Sequence, residues 1–214
     1  MIKKNLRLLI ITSIVILLPI LAGVALWDQL PDPMPSHWNA AGEIDGWSSK
    51  PFAVFVLPLI LVAAQWLCML GTAADPKKKN HPEKIIHLVL WIIPVMSVVL
   101  HTITYLTALG YGVRMEVVMP VFMGLIFAII GNYLPKCRQN YTIGIKIVWT
   151  LNSEENWNAT HRLAGKLWMA GGLLMILCGC LPVAWTVWML LVVLGIMVVV
   201  PMVYSWWFSR NQKG

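Results

Sequence analysis

Five histidines, nine carboxylates and four cysteines are the groups in this chain best able to do chemistry, and their spacing limits what that chemistry can be. Three constellations stand out. His37, Glu43 and Asp45 fall in one polar stretch and could be imagined around a metal ion. Three unlike ligands without a recognisable spacing make a weak metal site, so no metal is expected there. His87, Pro94, His101 and Tyr105 fall on nearly one face of a helix at 100° per residue, with Ser97 and Thr104 beside it. In a bilayer such groups either serve function or hold helices together by hydrogen bonds, with Gln65 and Asn132 as available partners. The third constellation is Trp149, Thr150, Ser153, Glu154, Glu155, Trp157, His161 and Arg162, which mixes caps, aromatics and charge in one short segment. There is no His-Glu-x-x-His pair, no Gly-x-Ser-x-Gly elbow and no phosphate loop, so no catalytic residue and no cofactor are expected. Cys68, Cys137, Cys178 and Cys180 lack metal-ligand spacing and do not form a disulfide framework.

The elements that must position these groups are membrane helices. Of the 214 residues 59% are hydrophobic and only 12% charged, where a soluble domain has about 25% charged. The apolar residues fall into runs at 6–27, 52–72, 85–109, about 117–134, 163–181 and about 183–208. A crossing helix needs about 20 residues. The runs are apolar all round, which excludes barrel strands, and lipid tolerates only structures that satisfy their own backbone. The expected fold is therefore an all-α polytopic membrane protein with about six transmembrane helices, in a multi-pass arrangement in the cell membrane. A cleaved signal peptide is the rival for the first run, with Gly23-Val24-Ala25 as a small-x-small site. That run is longer than the 7–15 residues or so of a signal core, and it is read as a retained helix.

Charge sets the orientation. Of the 16 basic residues, only Lys50 and Arg114 fall outside the N-terminus, the 2–3 connection, the 4–5 connection with the first residues of helix five, and the C-terminal tail. Both termini are then cytoplasmic. The same distribution accounts for the net charge of +7, so no nucleic-acid partner is inferred. Membrane lipid is the expected surrounding. Trp27, Trp38 and Trp47 on one side and Trp149, Trp157, Trp206 and Trp207 on the other suit the two interfaces.

The chain divides into an N-terminal membrane domain, 1–109, and a C-terminal one, 110–214, each with one long polar loop. The outer loop, 28–51, is acidic. Pro31, Pro33 and Pro35 favour an extended path, Gly42 and Gly46 look like turn positions with Asp45-Gly46 a tight-turn pair, and Trp38 and Trp47 are expected to pack on the helix ends. The inner loop, 135–162, has β-like composition over 141–151. Ser153 is a good N-cap, with Glu154 and Glu155 in the favoured first turn. Trp157, His161 and Trp168 then recur on one side, flanked by Arg162 and Lys166. The expectation is an interfacial helix with its Trp157–His161 side at the membrane surface, running into helix five.

These residues carry a family resemblance. Gly131-Asn132-Tyr133, Pro135-Lys136, Asn140-Tyr141, Gly144-Ile145, Trp149-Thr150-Leu151, Ser153-Glu154-Glu155, Trp157, Thr160-His161-Arg162 and Gly165-Lys166 together resemble the SdpI-type immunity proteins of bacteria. Leu30-Pro31, Pro35, His37, Asn39, Gly42, Asp45-Gly46-Trp47 and Ser49-Lys50 resemble a domain of unknown function that commonly precedes them. Gln139 stands where proline is usual, and Lys146-Ile147-Val148 where Arg-Thr-Pro is common. The resemblance implies protection from a secreted, membrane-active peptide toxin. It also implies a receptor role in which a cytoplasmic transcriptional repressor is held at the membrane. The candidate partner-binding residues are then Trp149, Thr150, Ser153, Glu154, Glu155, Trp157, His161 and Arg162. The candidate extracellular residues are His37, Asn39, Asp45 and Trp47, and the intramembrane polar face is His87, His101 and Tyr105. The alternative is a small transporter or permease-like protein, although no carboxylate lies deep in any helix to serve a cation relay.

Overall fold

In the computed structural model, residues 1–211 are described; Lys213, counted above among the basic residues, lies outside them. The long helices are α1 (Ile2–Ala25), α2 (Leu57–Ala74), α3 (Glu83–Ala108), α4 (Met115–Tyr133), α6 (Glu154–Cys178) and α7 (Val183–Asn211), with a short α5 (Val148–Asn152) between α4 and α6. A π-turn, Phe52–Val56, leads into α2. Among the described residues five helices are long and apolar enough to cross a membrane by length and composition alone. The remaining long helix, α6, carries Glu154, Glu155, Arg162 and Lys166 in its first half, and its later part, 163–178, is the sixth apolar segment. The protein is an all-α polytopic membrane protein.

The chain forms two compact units. The first contains 1–73 and 86–115. Here α1 buries Asn5, Leu9, Thr12, Ile16, Pro19 and Gly23, a three-to-four residue spacing that makes one face. That face takes polar bonds from its neighbours. Gln65 Nε2 donates to Thr12 Oγ1 (2.7 Å), Ser97 Oγ to the Ile16 carbonyl (3.0 Å) and Tyr105 Oη to the Pro19 carbonyl (3.1 Å). Gly23 is required at this crossing, because a Cβ there would stand 2.6 Å from Val54 and 2.7 Å from the Tyr105 hydroxyl.

The outer loop is a two-stranded antiparallel hairpin, β1 (Met34–Trp38) with β2 (Ile44–Ser48). Its turn lies at residues 39–43, where the Asn39 side chain accepts the amides of Ala41 and Glu43 and Gly42 takes φ +82°. The expected turn at Asp45-Gly46 is not formed. Gly46 sits inside β2 opposite His37, where a Cβ would meet His37 Cβ at 2.7 Å. The hairpin is fastened below by Leu30 and Met34, buried with Ala53, Val54 and Tyr105. Lys50 Nζ donates to the carbonyls of Trp27 and Leu30 and lies 4.9 Å from the Trp27 ring centroid. Trp47, expected to pack on the helix ends, is 56% exposed.

The second unit contains 74–85 and the chain from 116 onward. Within it α4 meets α6 backbone to backbone. A Cβ on Gly124 would stand 2.5 Å from the Gly172 carbonyl, one on Gly131 2.5 Å from the Met169 amide, and one on Gly165 2.6 Å from Pro135. Small residues at such crossings are how membrane helices pack when lipid supplies no hydrophobic drive. Helix α7 packs on α6 through Met175, Val193 and Met197, and Trp168 Nε1 donates to the Met197 carbonyl (3.0 Å). The outward side of α7 exposes Trp185 and Trp188 near one end and Trp206 and Trp207 near the other. From Trp188 to Trp206 the helix rises about 27 Å at 1.5 Å per residue, close to the roughly 30 Å of hydrocarbon.

Candidate functional site

The basic side of the second unit is built from three pieces. These are the segment 74–85 joining α2 to α3, the loop 134–147, and the turn made by α5 and the start of α6. The loop is not a strand, contrary to its β-like composition. No partner strand is present among the described residues, and its backbone polar groups are satisfied by side chains instead. Asn140 uses all four of its hydrogen-bonding positions on the chain around it. Its Oδ1 accepts the amides of Thr142 and Ile143, and its Nδ2 donates to the carbonyls of Arg138 and Ile143. Thr150 Oγ1 accepts the Ile147 amide (3.1 Å) and donates toward the Ile145 carbonyl (2.7 Å).

Trp157 and His161 do not face the membrane surface as their helical spacing predicted. Both are fully buried, stacked with ring centroids 4.1 Å apart and planes 18° from parallel. The loop wraps over that side of α6, so it is covered by protein. Trp157 Nε1 donates to the Cys137 carbonyl (2.8 Å). His161 Nδ1 donates to the Trp157 carbonyl (2.8 Å), and His161 Nε2 accepts the Ile145 amide (2.9 Å). One ring nitrogen must therefore carry a proton and the other must not. Burial lowers the His161 pKa to about 4 against the opposing pull of the Trp157 carbonyl, so the ring is neutral at physiological pH. Burial likewise pushes the Cys137 thiol up to about 11. Gly144, at φ +118°, brings the loop over the stack; a Cβ there would lie 2.5 Å from His161 Nε2 and 3.0 Å from the Trp157 ring.

Helix α6 begins as its sequence implies. Ser153 Oγ accepts the Asn156 amide (3.1 Å), and Glu154 and Glu155 occupy the first turn on the exposed side with Arg162 further along. Asn156 then anchors the turn to α7, donating to the Ser205 carbonyl (2.8 Å) and accepting from Ser205 Oγ (2.7 Å) and Thr160 Oγ1 (2.9 Å). Of the eight candidate partner-binding residues, Glu154, Glu155 and Arg162 are exposed, Trp149 and Ser153 are half-buried, and Thr150, Trp157 and His161 are buried. The buried three shape the surface that the others present.

Several residues central to this arrangement escaped the sequence reading. Asp75 is buried, and burial alone would raise its pKa. The amides of Lys77 and Tyr141, the Thr142 hydroxyl and His81 outweigh that and hold it below the ordinary carboxylate value. Its Oδ2 accepts from Tyr141 N (2.9 Å) and Thr142 Oγ1 (2.9 Å) and pairs with His81 Nε2 (3.3 Å). Asn80 Nδ2 donates to the Gln139 carbonyl (2.7 Å). The signal that could have found Asp75 is its setting, a carboxylate at the end of an apolar run just before a run of lysines.

The other candidates lie in the first unit. His37 Nδ1 pairs with Asp45 Oδ1 on the exposed hairpin, and Asn39 Nδ2 donates to Glu43 (3.1 Å). Among the described residues no group of three or more His, Cys, Asp or Glu is arranged to hold a metal ion. On α3, His101 is buried with Nδ1 bonded to the Ser97 carbonyl (2.7 Å), and its ring meets Tyr105 edge-on at 6.0 Å. His87 is half-buried. The suggested partner Gln65 bonds to α1, and Asn132 is exposed.

Residues 136–205 match the SdpI/YfhL protein family, and residues 14–62 match a domain of unknown function, DUF1648. The two regions fall in the order that the residue resemblance implied. The chain is 24% identical over 212 residues to the immunity protein SdpI of Bacillus subtilis (strain 168), a similarity covering 99% of each chain. No solved structure matches it.

Proposed function

From a chain of SdpI type in its C-terminal half, we propose a membrane immunity protein that protects a bacterial cell from a membrane-active peptide toxin. The observation that carries this reading is the similarity to an immunity protein over 99% of both chains. The reading needs no catalytic step. The hydroxyl of Thr150 and the imidazole of His161 are committed to backbone bonds that hold the shape of the inner loop. On the outer side, the hairpin that exposes Trp47 beside the His37–Asp45 pair is the surface a secreted peptide meets first. On the inner side, the first turn of α6 offers Glu154 and Glu155 to a cytoplasmic repressor.

The test pairs two assays. A toxin-sensitive bacterium expressing the chain is challenged with membrane-active peptide toxins, and membrane co-fractionation of a candidate repressor is followed in the same cells. Survival is expected with the chain and death without it; equal killing sinks the immunity reading. Reversing Glu154 and Glu155 to Lys is expected to leave membrane insertion intact and weaken recruitment severalfold. Unaltered recruitment removes this turn from the signalling role.

A further inference from the structure

The segment 74–85 is the piece of chain that joins α2 to α3, yet its bonds go to the inner loop of the second unit. Most of them are local matters of holding one loop to another. The Gln139 side chain is different, because it reaches in two directions at once. Its Oε1 accepts from Lys77 Nζ in the joining segment. Its Nε2 donates to the carbonyls of Thr150 (2.8 Å) and Leu151 (3.0 Å) at the end of α5. Those carbonyls belong to residues three and two positions before the Ser153 cap, and so precede the exposed Glu154 and Glu155. Gln139 is itself buried.

We propose that Gln139 is a positioning residue that couples the α2–α3 joining segment to the partner-facing first turn of α6. The inference rests on the reading of that turn as a recruitment surface, and it adds how the turn is governed. A displacement of α2 or α3 reaches 74–85 through the covalent chain. Lys77 passes it to Gln139, and Gln139 passes it to the carbonyls that fix the end of α5. Proline, the residue the family resemblance leads one to expect at this position, has neither a donor nor an acceptor in its side chain. A proline at position 139 would lack this link. The segment 74–85 also lies outside both matched regions, 14–62 and 136–205.

The other bonds make the link separable. Asp75 and Asn80 hold 74–85 to Tyr141, Thr142 and the Gln139 backbone without using the Gln139 side chain. Removing that side chain's bonds therefore leaves the loop attached. The test is hydrogen exchange of the full-length protein in lipid nanodiscs, comparing wild type with Gln139→Met and Lys77→Met. Gln139→Met is expected to speed exchange of the Leu151, Asn156 and Trp157 amides about tenfold, the change that 1.4 kcal/mol gives, with residues 163–178 unaltered. Lys77→Met, which also removes the ammonium 5.6 Å from the Tyr141 ring centroid, is expected to speed the same amides, and the double variant to exceed Gln139→Met by little. If Lys77→Met leaves those amides at the wild-type rate, Gln139 is only a local brace and the coupling is refuted. Exchange decides the proposal without any partner. If the wild type recruits no cytoplasmic protein, the recruitment reading fails by itself.

Discussion

Gly144→Ala is the substitution with the most calculable consequence for the inner site. Gly144 has φ +118°, in a region that side-chain-bearing residues rarely adopt, and holding alanine there costs about 1–3 kcal/mol. The new methyl would lie 2.5 Å from His161 Nε2 and 3.0 Å from the Trp157 ring. His161 has little freedom to retreat, since it is stacked on Trp157 and bonded at both nitrogens. The Ile145 amide then loses its acceptor, for about 1–3 kcal/mol more if it stays buried. The two terms sum to about 2–6 kcal/mol, and about 3 kcal/mol is roughly two decades in the equilibrium for local opening. Cys137 reports that opening. It is buried, its thiol is pushed up to about 11, and its carbonyl is capped by Trp157. In protein whose exposed Cys68 and Cys180 are replaced by serine, maleimide labelling of Cys137 in inverted membrane vesicles should quicken about 100-fold. Gly71→Ala, with nothing within 4 Å of its added Cβ, is the control and should match wild type. A Gly144→Ala rate within about twofold of wild type at equal membrane insertion would refute the argument.

Two further expectations concern the inner site and the topology. With His161 lowered to about 4 in the fold and near 6.5 when unfolded, the unfolded site binds the extra proton as pH falls. Its stability, full above about pH 6.5, should therefore decline by up to about 3 kcal/mol as pH falls toward 4. Exchange of the Ile145 amide, corrected for its intrinsic pH dependence, measures this, and a flat profile contradicts it. In intact cells, an impermeant maleimide should label Ala41→Cys in the hairpin turn and spare Lys78→Cys; labelling of both overturns the six-helix topology.

The helices were legible in the sequence because lipid imposes a length and excludes charge, so each crossing announces itself by composition. The start of α6 was legible for a local reason, Ser153 followed by two glutamates. Of the two glycines with the look of turn positions, Gly42 is one, with φ +82°; Asp45-Gly46, the stronger local pair, is not, because the turn is set by the Asn39 side chain closing on the Glu43 amide four residues on. Trp157 and His161 have the spacing of a membrane-facing stripe, and helical spacing says which residues share a face but not what covers it. Here the cover is the loop over 137–147, placed by Asn140, Thr150 and Gly144 through bonds with no sequence periodicity. Asp75 was illegible for the same reason on a longer scale, since its partners Tyr141 and Thr142 lie 66 and 67 residues away.

That separation is also an interval in time. A ribosome adding about 5–20 residues per second makes Asp75 on the order of 3–13 s before it makes Tyr141. Throughout that interval only its near partners, the Lys77 amide and His81, are in the chain within reach, and its distant ones are not. Only when 141–142 emerges can 74–85 close, so the last inner loop to be synthesised completes the first long one. A nascent chain halted short of residue 141 holds its opening helices with this clasp undone, a state that protease access to 74–85 would distinguish from the finished protein.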